Sequence, residues 1–174
     1  VVNVVAGFGS DVGTPLTQHP DVRAVSLTGS TAVGRIVGQE CAKTFKRCSL
    51  ELGGKNPMIV LDDANLDLAL DGALWGAFGT TGQRCTATSR IIVQKGVYRK
   101  FVDELVRRAK TLKVGNGLDE SVDMGPAVNE SQLKTDLEYI EIGKKEGAKL
   151  LTGGNRLNDG AYKHGWFLEP TVFG

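Results

Sequence analysis

Residues 22–52, VRAVSLTGSTAVGRIVGQECAKTFKRCSLEL, carry the pattern that decides the fold. They open with residues 22–28, whose side chains alternate between two faces of an extended backbone. This alternation favours a β-strand, and it stops at Gly29-Ser30. A helical pattern then runs to about Phe45, and residues 47–52 alternate again. Strand, helix and strand at this spacing favour two parallel strands joined by a crossover helix. We therefore predict an α/β fold in which parallel sheets are flanked by helices.

The pattern continues on both sides of this unit. Gly53-Gly54 interrupts it, and we place a domain boundary there, which divides the chain into residues 1–52 and 53–174. Apolar periodicity and turn residues predict the remaining elements. The further predicted strands are 1–5, 57–61, 90–94, 148–151 and 167–172. The further predicted helices are a short one capped by Ser10 or Asp11 and ending before Pro20, one capped within 62–65 and halting near 79–82, one over 97–112 and one over about 130–146.

Composition narrows the classes of partner. The chain has 174 residues, 41% hydrophobic and 24% charged, which is typical of a globular protein. A net charge of +1 offers no field for nucleic acid or an anionic membrane, and no stretch nears the roughly 20 apolar residues of a membrane span. Three cysteines in no metal or redox spacing, with two distant histidines, predict reduced thiols and no metal site. We expect a cytoplasmic protein that binds a small molecule.

The first candidate site is the turn between the strand and the helix of the opening stretch. Gly29 allows backbone to approach a ligand closely, and the helix that starts after Ser30 presents free N–H groups that suit a phosphate. Gly34 completes the pattern. The same residues also form an ordinary helix cap, so this turn alone leaves nucleotide binding and simple capping both open.

The second candidate is Glu51, which stands between two leucines at the end of a strand predicted to be buried. Such surroundings disfavour the charged form of a carboxylate, which suits a general base. The alternative is a structural glutamate paired with Lys55 or Arg47.

The third candidate is Cys85, which follows a glycine-rich helix end and lies beside Arg84. Cationic neighbours and nearby backbone N–H groups favour the reactive thiolate. Cys41 and Cys48 instead fall on apolar faces of their helix and strand, as buried structural cysteines do. The residues alone leave reactive and structural roles open for Cys85.

Taken in order, these features resemble the aldehyde dehydrogenase superfamily, whose signatures are a Gly-Ser-Thr cofactor turn, a Glu-Leu-Gly-Gly segment and Phe-x-x-x-Gly-x-x-Cys. They stand here at Gly29-Ser30-Thr31, Glu51-Leu52-Gly53-Gly54 and Phe78 to Cys85. The resemblance spans nearly the whole chain. It also covers Gly7-Phe8-Gly9, Met124-Gly125-Pro126 and Glu169-Pro170-Thr171-Val172.

The resemblance implies a three-layer fold, incomplete at both ends. Residues 1–52 would be the second half of a Rossmann-like cofactor domain, and 53–174 the first part of the catalytic domain. An isolated piece of this kind is expected to be inactive, while the parent protein would be a homodimer or homotetramer.

The resemblance also implies the chemistry. Cys85 would attack an aldehyde, and a hydride would pass to NAD or NADP held by Gly29, Ser30, Gly34 and Leu52. Glu51 would activate the water that releases a carboxylic acid. The segment around Arg84 is similar to semialdehyde dehydrogenases. Arg84 could meet a substrate carboxylate, but it could equally tune the thiol or pair with a local acid. Two rivals remain, a CoA-acylating relative and a non-catalytic module with this fold.

Overall fold

The computed structural model describes residues 1–174 and contains two compact units, Val1–Gly54 and Lys55–Gly174. This division falls two residues after the predicted boundary. The identification of the two parts as a cofactor half-domain and a partial catalytic domain stays a prediction.

The first unit is a parallel strand pair with one crossover helix, as predicted. Strands β1 (Ala24–Gly29) and β2 (Arg47–Leu52) pair in parallel over their whole length, and helix α2 (Thr31–Lys43) connects them. A π-helical turn, Gly9–Gly13, leads into the short helix α1 (Thr14–Gln18), which lies close to the predicted position.

The predicted strand over residues 1–5 is wrong. This segment is not assigned to a strand, and Val1, Val2 and Val4 are each more than nine-tenths exposed. β-branched residues favour an extended backbone, but a strand forms only by exchanging hydrogen bonds with a neighbour. No strand of the chain lies beside this segment to do so.

Strand β2 has the predicted bounds and faces but not the predicted burial. Its leucines point towards α2, where Leu52 approaches Gly34 and Leu50 approaches Gly38. Five of its six residues are nevertheless exposed. The helix presents glycines to this strand, so it has little side-chain surface with which to cover it.

The second unit is built around another parallel pair, β3 (Asn56–Val60) and β4 (Thr88–Val93). Helices α3 (Leu66–Phe78) and α4 (Lys95–Ala109) pack against it. The side chain of Asn65 caps α3 by accepting a hydrogen bond from the Leu68 N–H, within the predicted capping segment. The core of this unit consists of Val60, Leu70, Ala73, Phe101 and Leu105.

The last part of the chain differs most from the prediction. Helix α5 (Glu130–Lys145) matches it, but the single strand expected over 167–172 is two short ones. Pro170 has no N–H for a ladder and separates them. They form antiparallel pairs rather than extending a parallel sheet. The strands are β5 (Leu150–Thr152) with β8 (Val172–Phe173), and β6 (Arg156–Leu157) with β7 (Phe167–Leu168).

Two further properties concern the whole chain. None of its helices combines the length and the apolar character needed to cross a membrane. No group of three or more His, Cys, Asp or Glu side chains is placed to hold a metal ion.

Candidate active site

The loop that leads to Cys85 adopts a rare backbone conformation. Helix α3 ends at Phe78, and the 3₁₀ turn Gly79–Gly82 follows. Within it Thr80 and Thr81 have φ of 54° and 58°, and Gly82 has φ of 65°. β-branched residues seldom enter this left-handed region, so the surrounding contacts must impose it. The sequence predicted where the helix ends but not this conformation.

Two long-range hydrogen bonds fasten the loop to the segment that follows Met124. The Thr81 hydroxyl donates to the carbonyl of Gly125 at 3.1 Å. The Val128 N–H donates to Oε1 of Gln83 at 2.8 Å. Sequence reasoning gave these side chains no role, because each partner lies more than 40 residues further along the chain.

Cys85 itself lies in a turn that opens to solvent. The Ala87 N–H donates to the Arg84 carbonyl at 3.0 Å, which closes the turn around Cys85 and Thr86. The thiol is free and the residue is exposed, whereas Ala87 is buried. An exposed thiol on a fixed turn can reach a substrate. Its assignment as the nucleophile stays a prediction.

Asn56, at the start of β3, holds this turn through its side-chain amide. Nδ2 donates to the carbonyl of Cys85 at 2.6 Å and to that of Ala87 at 3.1 Å. Sequence reasoning missed this residue. The only feature of the nearby sequence that sets Asn56 apart is its position immediately before Pro57.

Arg84 is fixed on the other side of the turn. Its Nη2 donates to the Trp75 carbonyl at 3.0 Å, and its guanidinium carbon lies 4.9 Å from the centre of the Trp75 ring. Its Nε is fully enclosed and has no hydrogen-bond partner. Since Arg84 forms no ion pair, the alternative of a local acidic partner is wrong. A role towards a substrate carboxylate stays untested.

The other two cysteines have different surroundings. Cys41 is buried at 1% exposure, as predicted, and this burial, together with the neighbouring Cys48, raises the pKa of its thiol. The burial predicted for Cys48 is wrong, because β2 is poorly covered and Cys48 is exposed.

Glu51 occupies the penultimate position of β2, opposite Thr28 of β1. The expectation that it is poorly solvated is wrong within this chain: it is exposed, since α2 covers only the other face of the strand. The structural alternative is also absent, because Glu51 forms no ion pair with Lys55 or Arg47. Its role as a general base stays a prediction.

The cofactor turn has the predicted cap. Ser30 accepts a hydrogen bond from the Val33 N–H at 3.2 Å through its side chain, and α2 starts at the next residue. Gly34 packs so tightly that a Cβ there would lie 2.5 Å from a methyl carbon of Leu52. A shallow groove of about 420 Å³ starts at Thr31 and runs between α2 and the leucines of β2. A helix amino end beside an apolar groove fits a dinucleotide.

The model of the aldehyde dehydrogenase family matches residues 1–174. α-Ketoglutaric semialdehyde dehydrogenase of Bacillus subtilis is 49% identical over 99% of this chain and 36% of its own length. 2,5-Dioxopentanoate dehydrogenase of Saccharolobus solfataricus is 51% identical, with the same two shares. The chain thus spans about a third of the length of these relatives.

Among solved structures, betaine aldehyde dehydrogenase of Staphylococcus aureus, in a double mutant with NAD+ and a BME-modified cysteine, superposes with a TM-score of 0.91. It is 40% identical, and the match covers 97% of this chain and 34% of that one. This agreement confirms the predicted α/β fold class.

Proposed function

Because the chain belongs to the aldehyde dehydrogenase family, we propose that its parent protein oxidises an aldehyde to a carboxylic acid with NAD(P)+ through a thioester on Cys85. The observation that carries this proposal is the exposed, free thiol of Cys85 on a turn whose backbone is tethered by Asn56 and Arg84. A nucleophile must be open to its substrate and fixed in direction, and this turn provides both.

Cys85 begins the reaction. Its thiolate adds to the aldehyde carbon, and the carbonyl oxygen becomes an oxyanion that the Cys85 backbone N–H stabilises in this proposal. NAD(P)+, held at the turn formed by Gly29, Ser30 and Gly34, would supply the oxidising power by accepting the hydride that the tetrahedral carbon loses as the oxyanion collapses. Collapse of the oxyanion leaves an acyl group in thioester linkage on Cys85.

Glu51 completes the reaction. As a general base it takes a proton from water while the water oxygen attacks the thioester carbon. The second oxyanion collapses, the Cys85 thiolate leaves, and the carboxylic acid is released. Glu51 forms no salt bridge, which supports this role because a paired cation would compete with proton transfer.

Gly29, Ser30, Gly34 and Leu52 hold the dinucleotide in this proposal. The groove beside α2 and the tight Gly34–Leu52 packing support it. Gly34 lets the helix start lie close to the strand that ends in Leu52, which keeps backbone N–H groups near the phosphates.

The substrate we propose is a small semialdehyde. Two relatives about half identical to this chain are named for such compounds, α-ketoglutaric semialdehyde and 2,5-dioxopentanoate. We further propose that the protein works in the cytoplasm, where its three free thiols stay reduced, and that it assembles as a homodimer or homotetramer.

The test is NADH or NADPH formation by the intact protein from a panel of aldehydes and semialdehydes, with and without CoA. The variants are Cys85→Ala and Glu51→Gln, and Cys48→Ala is the matched control because Cys48 is also free and exposed. Turnover should vanish in Cys85→Ala and persist in Cys48→Ala. Glu51→Gln should form one equivalent of reduced cofactor in a burst and then stall.

Each part of the proposal has its own contrary result. Normal turnover by Cys85→Ala would exclude the thioester mechanism. Steady turnover by Glu51→Gln would remove the base role. An acyl-CoA product in place of the acid would favour the CoA-acylating alternative.

A further inference from the structure

Two carbonyl groups near Cys85 accept hydrogen bonds from the same side-chain amide. Asn56 Nδ2 carries two hydrogens and makes two hydrogen bonds, one to the Cys85 carbonyl at 2.6 Å and one to the Ala87 carbonyl at 3.1 Å. One amide group thus binds both carbonyls on either side of Thr86. We call this pair of hydrogen bonds the Asn56 clamp.

The strand geometry explains why a side chain, and not the backbone, donates these two hydrogen bonds. The β3–β4 ladder shifts register between Asn56 and Pro57, and Pro57 has no N–H to donate. The backbone at this point therefore offers β4 fewer donors than a regular strand would. The side chain of Asn56 supplies two donors just before β4 begins at Thr88.

The clamp acts where the geometry of the thiol is set. The carbonyl of Cys85 belongs to the peptide group that follows its Cα, so a bond to this oxygen restricts rotation about the Cα–C bond of Cys85. On the preceding side, Arg84 is anchored to Trp75 through a hydrogen bond and ring stacking. Without the clamp, the Cys85 carbonyl would lose its side-chain donor, and the Ala87 carbonyl would keep only a longer hydrogen bond of 3.4 Å from the Ser89 hydroxyl.

We propose that Asn56 is a positioning residue for the reaction at Cys85: its amide fixes the turn so that the thiol and the Cys85 N–H keep the direction that attack and oxyanion stabilisation require. This inference rests on the proposed function of Cys85. Asn56 touches the backbone on the carboxyl side of the nucleophile, and its effect on the reaction runs through Cys85.

The substitutions that test the clamp keep the size of the side chain. Asn56→Leu removes both donors without adding charge, while Asn56→Asp keeps the shape but turns acceptor oxygens towards two carbonyls. Asn158→Leu is the matched control, because Asn158 is exposed in a loop of the same unit. All are made in the intact protein.

Three measurements are compared: kcat and KM for NADH formation, amide hydrogen exchange of the peptide that covers residues 84–88, and the urea midpoint. In Asn56→Leu we expect kcat to fall at least about tenfold while KM changes less than about threefold, because misplacement of a reacting group slows chemistry more than binding. Exchange over 84–88 should become at least about tenfold faster while α5 is unchanged. Asn56→Asp should do the same, and Asn158→Leu neither.

The outcomes separate this inference from the proposed function. If Asn56→Leu keeps the wild-type kcat, or if exchange over 84–88 does not change, the positioning role is wrong. If every parameter falls together with the urea midpoint in both variants, or neither variant folds, Asn56 serves folding only and the proposal fails. If the wild type forms no NADH from any aldehyde, the proposed function fails. The exchange measurement still decides whether Asn56 holds the turn: faster exchange over 84–88 in Asn56→Leu supports this, and unchanged exchange contradicts it.

Discussion

Thr80 offers a direct test of the strained loop before the candidate nucleophile. It has φ of 54° and ψ of 33°, in the left-handed region, and it is exposed. A residue with a Cβ pays roughly 1–2 kcal/mol there, whereas asparagine enters this region several-fold more often than most residues. We therefore predict that Thr80→Asn stabilises the protein.

The magnitude follows from two opposing terms. Relief of backbone strain by Asn is worth about 1 kcal/mol. The Thr80 hydroxyl donates to the Gly79 carbonyl at 2.6 Å, and loss of a partly solvated bond of this kind costs about 0.5 kcal/mol. The net gain for Thr80→Asn is about 0.5 kcal/mol. Thr80→Val keeps the β-branch and its strain but loses the bond, so it should cost about 0.5 kcal/mol or more.

The assay is urea unfolding of the wild type and both variants, followed by tryptophan fluorescence. A difference of about 1 kcal/mol between Thr80→Asn and Thr80→Val corresponds to a midpoint difference of about 0.5 M urea. Turnover should stay within about twofold in Thr80→Asn, because the backbone conformation before Cys85 is kept. If Thr80→Asn is no more stable than Thr80→Val, the reasoning from left-handed strain is refuted.

Three further predictions concern stability. Phe101→Ala should cost about 3–5 kcal/mol in urea unfolding, because Phe101 is fully buried at the centre of the core. Hydrogen bonds from Arg107, and to a smaller extent from Arg108, lower the pKa of the Glu104 carboxyl from 4.5 to about 2. This carboxylate therefore stabilises the fold above about pH 4.5 and loses that effect as the pH falls towards 2. Glu104→Gln should lack this part of the acid unfolding curve. Burial raises the pKa of the Asp136 carboxyl above 3.8. The folded state therefore favours the protonated carboxyl, and the stability of the fold falls as the pH rises and this group becomes charged. Asp136→Asn should equal the wild type near pH 3 and exceed it in thermal stability at pH 7, and a less stable variant at pH 7 would contradict this.

Local chemistry made part of this fold predictable. Ser30 and Asn65 have short polar side chains immediately before apolar periodic stretches, and both cap the helices that follow. Strand β2 has the predicted bounds because Gly53-Gly54 ends the alternation abruptly. In each case the information lies within a few residues of the element.

Pairing between distant segments was not predictable in this way. Residues 1–5 have strand composition but no neighbour, while the two-residue strand Arg156–Leu157 forms because Phe167–Leu168 lies beside it. Burial follows the same rule. The sequence showed that Glu51 and Cys48 lie on opposite faces of β2, but their exposure depends on how much of each face another element covers.

The candidate site shows the same difference between local features, which the sequence reveals, and contacts between distant residues, which it does not. The types of residue at Cys85 and Glu51 suggested their chemistry, because nucleophiles and bases are drawn from few side chains. The clamp that holds the Cys85 turn joins residues 29 positions apart, and asparagine has no single role that would reveal it. Sequence indicates the candidate reactive residues, while the structure shows which contacts hold the turn that carries one of them.

The contacts that position the thiol and those that shape the cofactor turn belong to separate sets. The turn around Cys85 is held by Asn56 and Trp75, both within residues 55–174. The packing of Gly34 on Leu52 lies wholly within residues 1–54. The two sets share no residue, so the proposed positioning of the thiol and the proposed binding of the cofactor can be tested by separate substitutions, each confined to one unit.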